Sequence, residues 1–166
     1  MAEFMISLPE AVELYAEISL ALAGFAGIAS ALAGRERRFR SVEKLRLVGV
    51  VSLSAAVLGG SLAYMCGSIA GLSESHSESI AAVVSLFLTA PLTIRIFPEL
   101  WRRSNDPDVT VDSWSLYLVT GLLVTAILLY AFTALGLGAG WQIALAFSLQ
   151  LMHGIWLFFL LLTRPN

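Results

Sequence analysis

The chain has 166 residues, 58% of them hydrophobic and only 13% charged, with a mean hydropathy of +0.83. So little charge cannot cover the surface of a soluble domain this size, and the net charge of −2 informs only once it is divided between two faces. The lone Cys66 excludes an intrachain disulfide and a cysteine-based zinc site.

About 20 apolar residues cross a ~30 Å hydrocarbon core as a helix, and five such stretches consume nearly the whole chain. The first spans 10–33. It opens on Ser7-Leu8-Pro9-Glu10, a capping box with proline in the first turn. Glu3, Glu10, Glu13 and Glu17 stand where a signal peptide would carry a basic region, so the stretch reads as a retained helix. Ser19, Ala23, Gly27 and Ala31 form a small-residue column at spacing four. Another strip carries Glu10, Glu13 and Glu17 and continues through Leu20, Gly24, Gly27 and Ala31.

A basic gap at 34–44 holds Arg35, Arg37, Arg38 and Arg40. The second span, 45–71, has a small column of Ala55, Gly59, Ala63, Gly67 and Gly71. After a Ser-rich, acidic gap at 72–77, Ser75-His76-Ser77-Glu78 has capping-box form and opens the third span, 78–97. Pro91 is expected to kink that span. Arg95 lies between Pro91 and Pro98, placed to snorkel to the interface or to pair with Glu99. The next gap carries Arg102 and Arg103 and a turn at Asn105-Asp106-Pro107-Asp108. The fourth span, 114–136, is capped by Asp112 or Ser113 and leaves through Gly136-Leu137-Gly138-Ala139-Gly140 into the fifth, 140–163. Trp114 and Trp141 fall at opposite interfaces.

The fold class that follows is all-α integral membrane, one transmembrane domain over 1–166. All ten basic residues lie in, or within three residues of, alternate gaps or at the C-terminus. By the positive-inside rule those gaps are cytoplasmic, the C-terminus with them, and the N-terminus is outside. Small faces let helices approach closely in lipid, so the first two spans are expected innermost. The fifth, ending Trp156-Leu157-Phe158-Phe159, is expected to face lipid. Self-association into a homo-oligomer is the natural use of the small stripes, although they serve equally within one protomer.

Glu17 is expected just inside the outer hydrocarbon boundary, where a carboxylate is costly unless it meets protein or water. A ring of Glu13 and Glu17 at an outer pore mouth, with Leu20, Gly24, Gly27 and Ala31 along the narrow part, would attract inorganic cations. The outer surface would carry Glu3, Glu10, Glu13, Glu17, Glu74 and Glu78 and no base. The arginines at 35, 37, 38 and 40 either only fix orientation or also hold anionic lipid headgroups. His153, one turn from Gln150, would relay protons or hydrogen-bond across helices. No catalytic motif, metal set, cofactor site or nucleic-acid-binding face is recognisable. The expectation is a homo-oligomeric, non-enzymatic cation pore. One alternative is a small-solute or proton-coupled transporter with a Gly59-Gly60 helix break and a His153 site. The other is a non-conducting interaction or scaffold subunit.

The segment Ala16-Glu17-Ile18-Ser19-Leu20-Ala21-Leu22-Ala23-Gly24-Phe25-Ala26-Gly27 resembles the opening of small, uncharacterised bacterial multi-pass membrane proteins. The resemblance covers the first span and the basic segment after it. It implies a bacterial inner-membrane setting and carries no activity.

Overall fold

A computed structural model describes residues 7–36, 41–104, 113–138 and 140–162. They form five helices: α1 Leu8–Glu36, α2 Ser41–Ile69, α3 Glu74–Ser104, α4 Ser113–Ala134 and α5 Gly140–Leu162. All five are long and apolar enough to cross a membrane, which marks an integral membrane protein. Arg37, Arg38, Arg40, the turn at 105–108 and Arg164 lie outside the described residues, as do the side chains of Arg35, Arg103 and Trp114.

The helix ends follow local chemistry. Glu10 accepts a 2.9 Å hydrogen bond from the Ser7 backbone N–H, the return arm of the capping box read from the sequence. The expected box at Ser75 is not used. Helix α3 begins at Glu74, so Ser75 is already inside it; Ser73 precedes the helix and its hydroxyl bonds His76 Nδ1 at 2.5 Å. Both links at this end of the bundle close alike. Gly71 (φ 77°) and Gly136 (φ 70°) take the left-handed conformation, and the next residues, Leu72 and Leu137, donate back to the carbonyls of Gly67 and Phe132. Each is a Schellman stop, which glycine permits because it lacks a Cβ. Helix α2 runs unbroken through Gly59-Gly60, and α3 remains helical through Pro91 and Pro98.

Packing bears out the expectation for α2, the most buried of the five spans, and departs from it for α1 and α5. Helix α5 touches all four others, whereas α1 touches only α2 and α5. On α5 the buried positions Ile143, Ala146, Phe147, Gln150, His153, Gly154 and Leu157 recur at three- and four-residue spacing. At its end the bulky side chains divide: Trp156, Phe159 and Leu162 are exposed, as expected, but Leu157 is buried. Phe147 sits at the centre, edge-on to Tyr15 of α1 (centroids 5.7 Å apart, planes at 71°) and tilted against Tyr130 of α4.

The small residues that admit α5 lie on a different column of α2 from the one expected. A Cβ on Gly49 would stand 2.9 Å from Leu157, and one on Gly60 would overlap the Ser85 hydroxyl and press on the Phe147 ring. Of the expected column, Gly59 packs on Leu88 and Gly67 on Ser77, both of α3, and Ala63 is half-buried. Ala55 faces outward and Gly71 belongs to the turn. On α1, Ser19 is buried and Ala23 half-buried, but Gly27 and Ala31 are exposed.

Candidate functional site

Helix α1 presents two sharply different sides. Its buried strip is Val12, Ser19, Leu22 and Ala26, spaced by three, four or seven as one helix face requires. At 100° per residue, Glu13, Glu17, Leu20, Gly24, Gly27 and Ala31 project about 95–175° away from that strip. All six are exposed, and Leu20 is 63% exposed. A Cβ added at Gly24 or Gly27 would meet nothing within 4 Å. Thus the residues singled out in sequence as an ion pathway share one open strip, turned away from the other four helices. The flank beside it differs in kind: Leu14, Ile18, Phe25 and Ile28 are large, apolar and exposed, as a lipid-facing surface should be.

The depth of Glu17 follows from the register of α1 on α5. Leu8 packs at Gly140, the Tyr15 hydroxyl hydrogen-bonds that of Ser148 at 2.7 Å, and Leu22 packs on Gly154. The two helices therefore run parallel, and Glu17, two residues past Tyr15, is level with Gln150. That level is about 15 Å from the start of α5, near the middle of this 23-residue helix. Measured along the bundle, Glu17 thus stands beside the middle of α5 rather than beside its first turn.

Inside the bundle, at that same level, a polar group of three helices is fully buried. The Tyr130 hydroxyl donates to Gln150 Oε1 at 2.5 Å, and Gln150 Nε2 donates to Thr89 Oγ1 at 2.9 Å. Ser85, one turn before Thr89, donates to the Ala56 carbonyl at 3.1 Å, and its hydroxyl lies beside that of Tyr130. Gln150 was expected as an intramembrane polar residue, and the structure gives it interhelical partners. Tyr130 and Thr89 were missed, since one tyrosine and one threonine in apolar sequence carry no signal of facing each other. His153 is 6% exposed and its Nδ1 has no partner among the described residues. Ser54 and Ser61 of α2 also keep buried, unpartnered hydroxyls. Other hydroxyls bond within their own helices, as Ser19 does to the Tyr15 carbonyl and Thr133 to that of Leu129.

The two ends of the bundle differ in charge. At the end holding the α2–α3 and α4–α5 links, the described residues include Glu10, Glu74 and Glu78 and no Lys or Arg. At the other end Arg46 is buried and donates to the Leu160 carbonyl at 3.2 Å, a cation placed on the negative pole of α5. Arg95 is exposed and does not pair with Glu99, whose carboxylate meets Arg102 at 3.0 Å, one turn further along the same helix. Among the described residues no group of three or more His, Cys, Asp or Glu side chains is placed to hold a metal ion. Comparison of the chain with protein-family models, curated proteins and solved structures finds no match in any of the three.

Proposed function

We propose that the protein is a homo-oligomeric membrane channel, conducting cations in preference to anions, with α1 nearest the symmetry axis. The observation that carries this reading is the open strip of α1. Glu17, level with Gln150 near mid-bundle, faces away from its own protomer. A carboxylate directed into hydrocarbon at that depth costs several kcal/mol, so such residues face water or protein. Open Gly24 and Gly27 on the same strip let neighbouring backbones approach closely. Copies of α1 arranged around an axis meet both demands, placing Glu13 and Glu17 on a water path and Leu20 to Ala31 at its narrow part. The bulky flank at Ile18 and Phe25 then remains for lipid.

In this reading the acidic end faces the exterior and the basic end the cytoplasm, because basic gaps are retained inside. The N-terminus is outside, the C-terminus cytoplasmic and the setting a bacterial inner membrane. The arginines at 35, 37, 38 and 40 meet anionic headgroups there. The transporter alternative loses one of its cues, since α2 does not break at Gly59-Gly60. A non-conducting scaffold keeps the same α1 strip as a packing face without water. Ion flux into liposomes holding the purified protein, across a panel of cations and anions, separates these readings. The expected result is cation flux that Glu17→Gln reduces at least about tenfold, the equivalent of ~1.4 kcal/mol of lost electrostatic stabilisation, with the assembly unchanged in size. Flux and selectivity unaltered by Glu17→Gln would refute the carboxylate role; saturable, solute-specific uptake would indicate the transporter.

A further inference from the structure

The open strip of α1 is not uniform along its length. Glu13, Glu17, Leu20, Gly24, Gly27 and Ala31 succeed one another at alternating spacings of four and three. Helices sharing such a seven-residue repeat coil about a common axis and keep the repeated positions toward it. Down this column the chemistry changes in order. Two carboxylates come first, one bulky apolar side chain follows, and only two glycines and an alanine stand below it. Leu20 is 63% exposed, so its own protomer covers the smaller part of it. A Cβ at Gly24 or Gly27 would meet nothing within 4 Å. The other large exposed side chains of α1, Leu14, Ile18, Phe25 and Ile28, take no position in the column.

Side chains narrow a water path only where they reach into it, and glycine and alanine reach least. Glu13 and Glu17 narrow it with charge, which holds water and gathers cations. Leu20 narrows it with hydrocarbon, which offers water no hydrogen bond. A tight apolar ring loses its water, and an ion cannot cross it without shedding its own hydration. A leucine side chain on a helix leans toward the N-terminus, over the preceding turn. The Leu20 ring therefore closes close beneath the Glu17 carboxylates, whose backbone lies about 4.5 Å away along the axis, rather than spreading over Gly24.

We propose that Leu20 is the gate of the channel: a ring of Leu20 side chains, one from each copy of α1, closes the path by drying it, one turn below the carboxylates that favour cations. The gate rests on the pore reading of the α1 strip and gives selection and closure to different side chains of it. Glu17 sets which ions enter, and Leu20 sets whether the path beneath is wet. A smaller or polar residue at position 20 keeps that path hydrated, and a larger apolar one dries it further. Cation preference stays the same in both cases, because the carboxylates are untouched.

The test is potassium and chloride flux into liposomes holding the full chain, with the size of the assembly checked by native mass spectrometry. Leu20→Ser should raise potassium flux at least about tenfold with chloride still excluded, and Leu20→Phe should lower it at least about tenfold. Ile18→Ser, on the bulky flank, should change neither. Adding Glu17→Gln to Leu20→Ser should cut the raised flux back, since the ions still pass the carboxylates. Fluxes of Leu20→Ser and Leu20→Phe equal to wild type, in assemblies of unchanged size, overturn the gate; a flux that Glu17→Gln still lowers in those preparations leaves the pore reading standing without it. A Leu20→Ser leak that carries chloride as readily as potassium and ignores Glu17→Gln reports a damaged bundle and also overturns the gate. Where Leu20→Ser does not assemble, Leu20→Ala takes its place with the same expected sign. Silence from the wild type and from every variant at position 20 removes the pore reading, and the gate with it.

Discussion

Gln150→Leu tests the interior of the bundle. Gln150 and Tyr130 are fully buried, and two interhelical hydrogen bonds meet at Gln150. Leucine has nearly the same volume, so little cavity is left and the loss is mainly polar. Hydrogen bonds between transmembrane helices average ~0.6 kcal/mol and reach ~1.7, so removing two costs about 1.2–3.4 kcal/mol. The Tyr130 hydroxyl then keeps only Ser85 for company. A stranded buried polar group costs about 1–3 kcal/mol, which places the expected loss at about 2–3 kcal/mol. The assay is reversible unfolding in mixed micelles titrated with a denaturing detergent, run also on Tyr130→Phe and on the double variant. Tyr130→Phe should lose about 0.6–1.7 kcal/mol, and the double variant should fall short of additivity by a similar amount. A Gln150→Leu protein within about 0.5 kcal/mol of wild type, or effects that add within that margin, would refute the network.

Glycine substitutions separate the inner seams from the open strip. Gly60→Ala should cost about 1–3 kcal/mol, because its Cβ overlaps the Ser85 hydroxyl and meets the Phe147 ring at 3.0 Å. Gly59→Ala presses on the end of Leu88 at 2.8 Å and meets Val84 at an ordinary 3.5 Å, and should cost under about 1 kcal/mol; the same micelle titration reads both. Gly27 and Gly121 each have open space around them. Gly27→Leu should leave the protomer folded and dissociate the assembly in cross-linking or native mass spectrometry, whereas Gly121→Leu should change neither. Equal behaviour of the two leucine variants would remove the assembly role of the α1 strip.

The five spans were legible because about 20 apolar residues between charged or glycine-rich gaps admit few other readings. Caps at single residues were legible where side chain and backbone are neighbours in sequence, as at Ser7 and Glu10. At the start of α3 three serines offered rival caps, and the helix begins at Glu74, one residue after Ser73. The buried face of α5 was missed because bulk was taken as a sign of lipid contact. In an apolar solvent, large side chains fill bundle interiors as readily as they meet lipid, so Phe147 could not be told from Phe159 by type. The acidic, glycine-bearing strip of α1 was legible from helical periodicity alone; its outward direction was not, since periodicity defines a face without saying what opposes it. Glu78 was read as part of a cap and of an acidic outer surface. Its burial depends on Gly140, 62 positions away in the sequence, a proximity no local pattern encodes.

The most direct test of the central claim is the water accessibility of α1. Cys66, free and exposed, is first replaced by serine. Single cysteines then go to positions 17, 24 and 27 on the open strip and to 18 and 25 on the bulky flank. A charged, membrane-impermeant thiol reagent is added to the reconstituted protein. Modification at 17, 24 and 27 that blocks conduction, with 18 and 25 unreactive, is the result this account predicts. Strip cysteines as inert as those at 18 and 25, in assemblies of unchanged size, would show that no water runs along α1 and would contradict it.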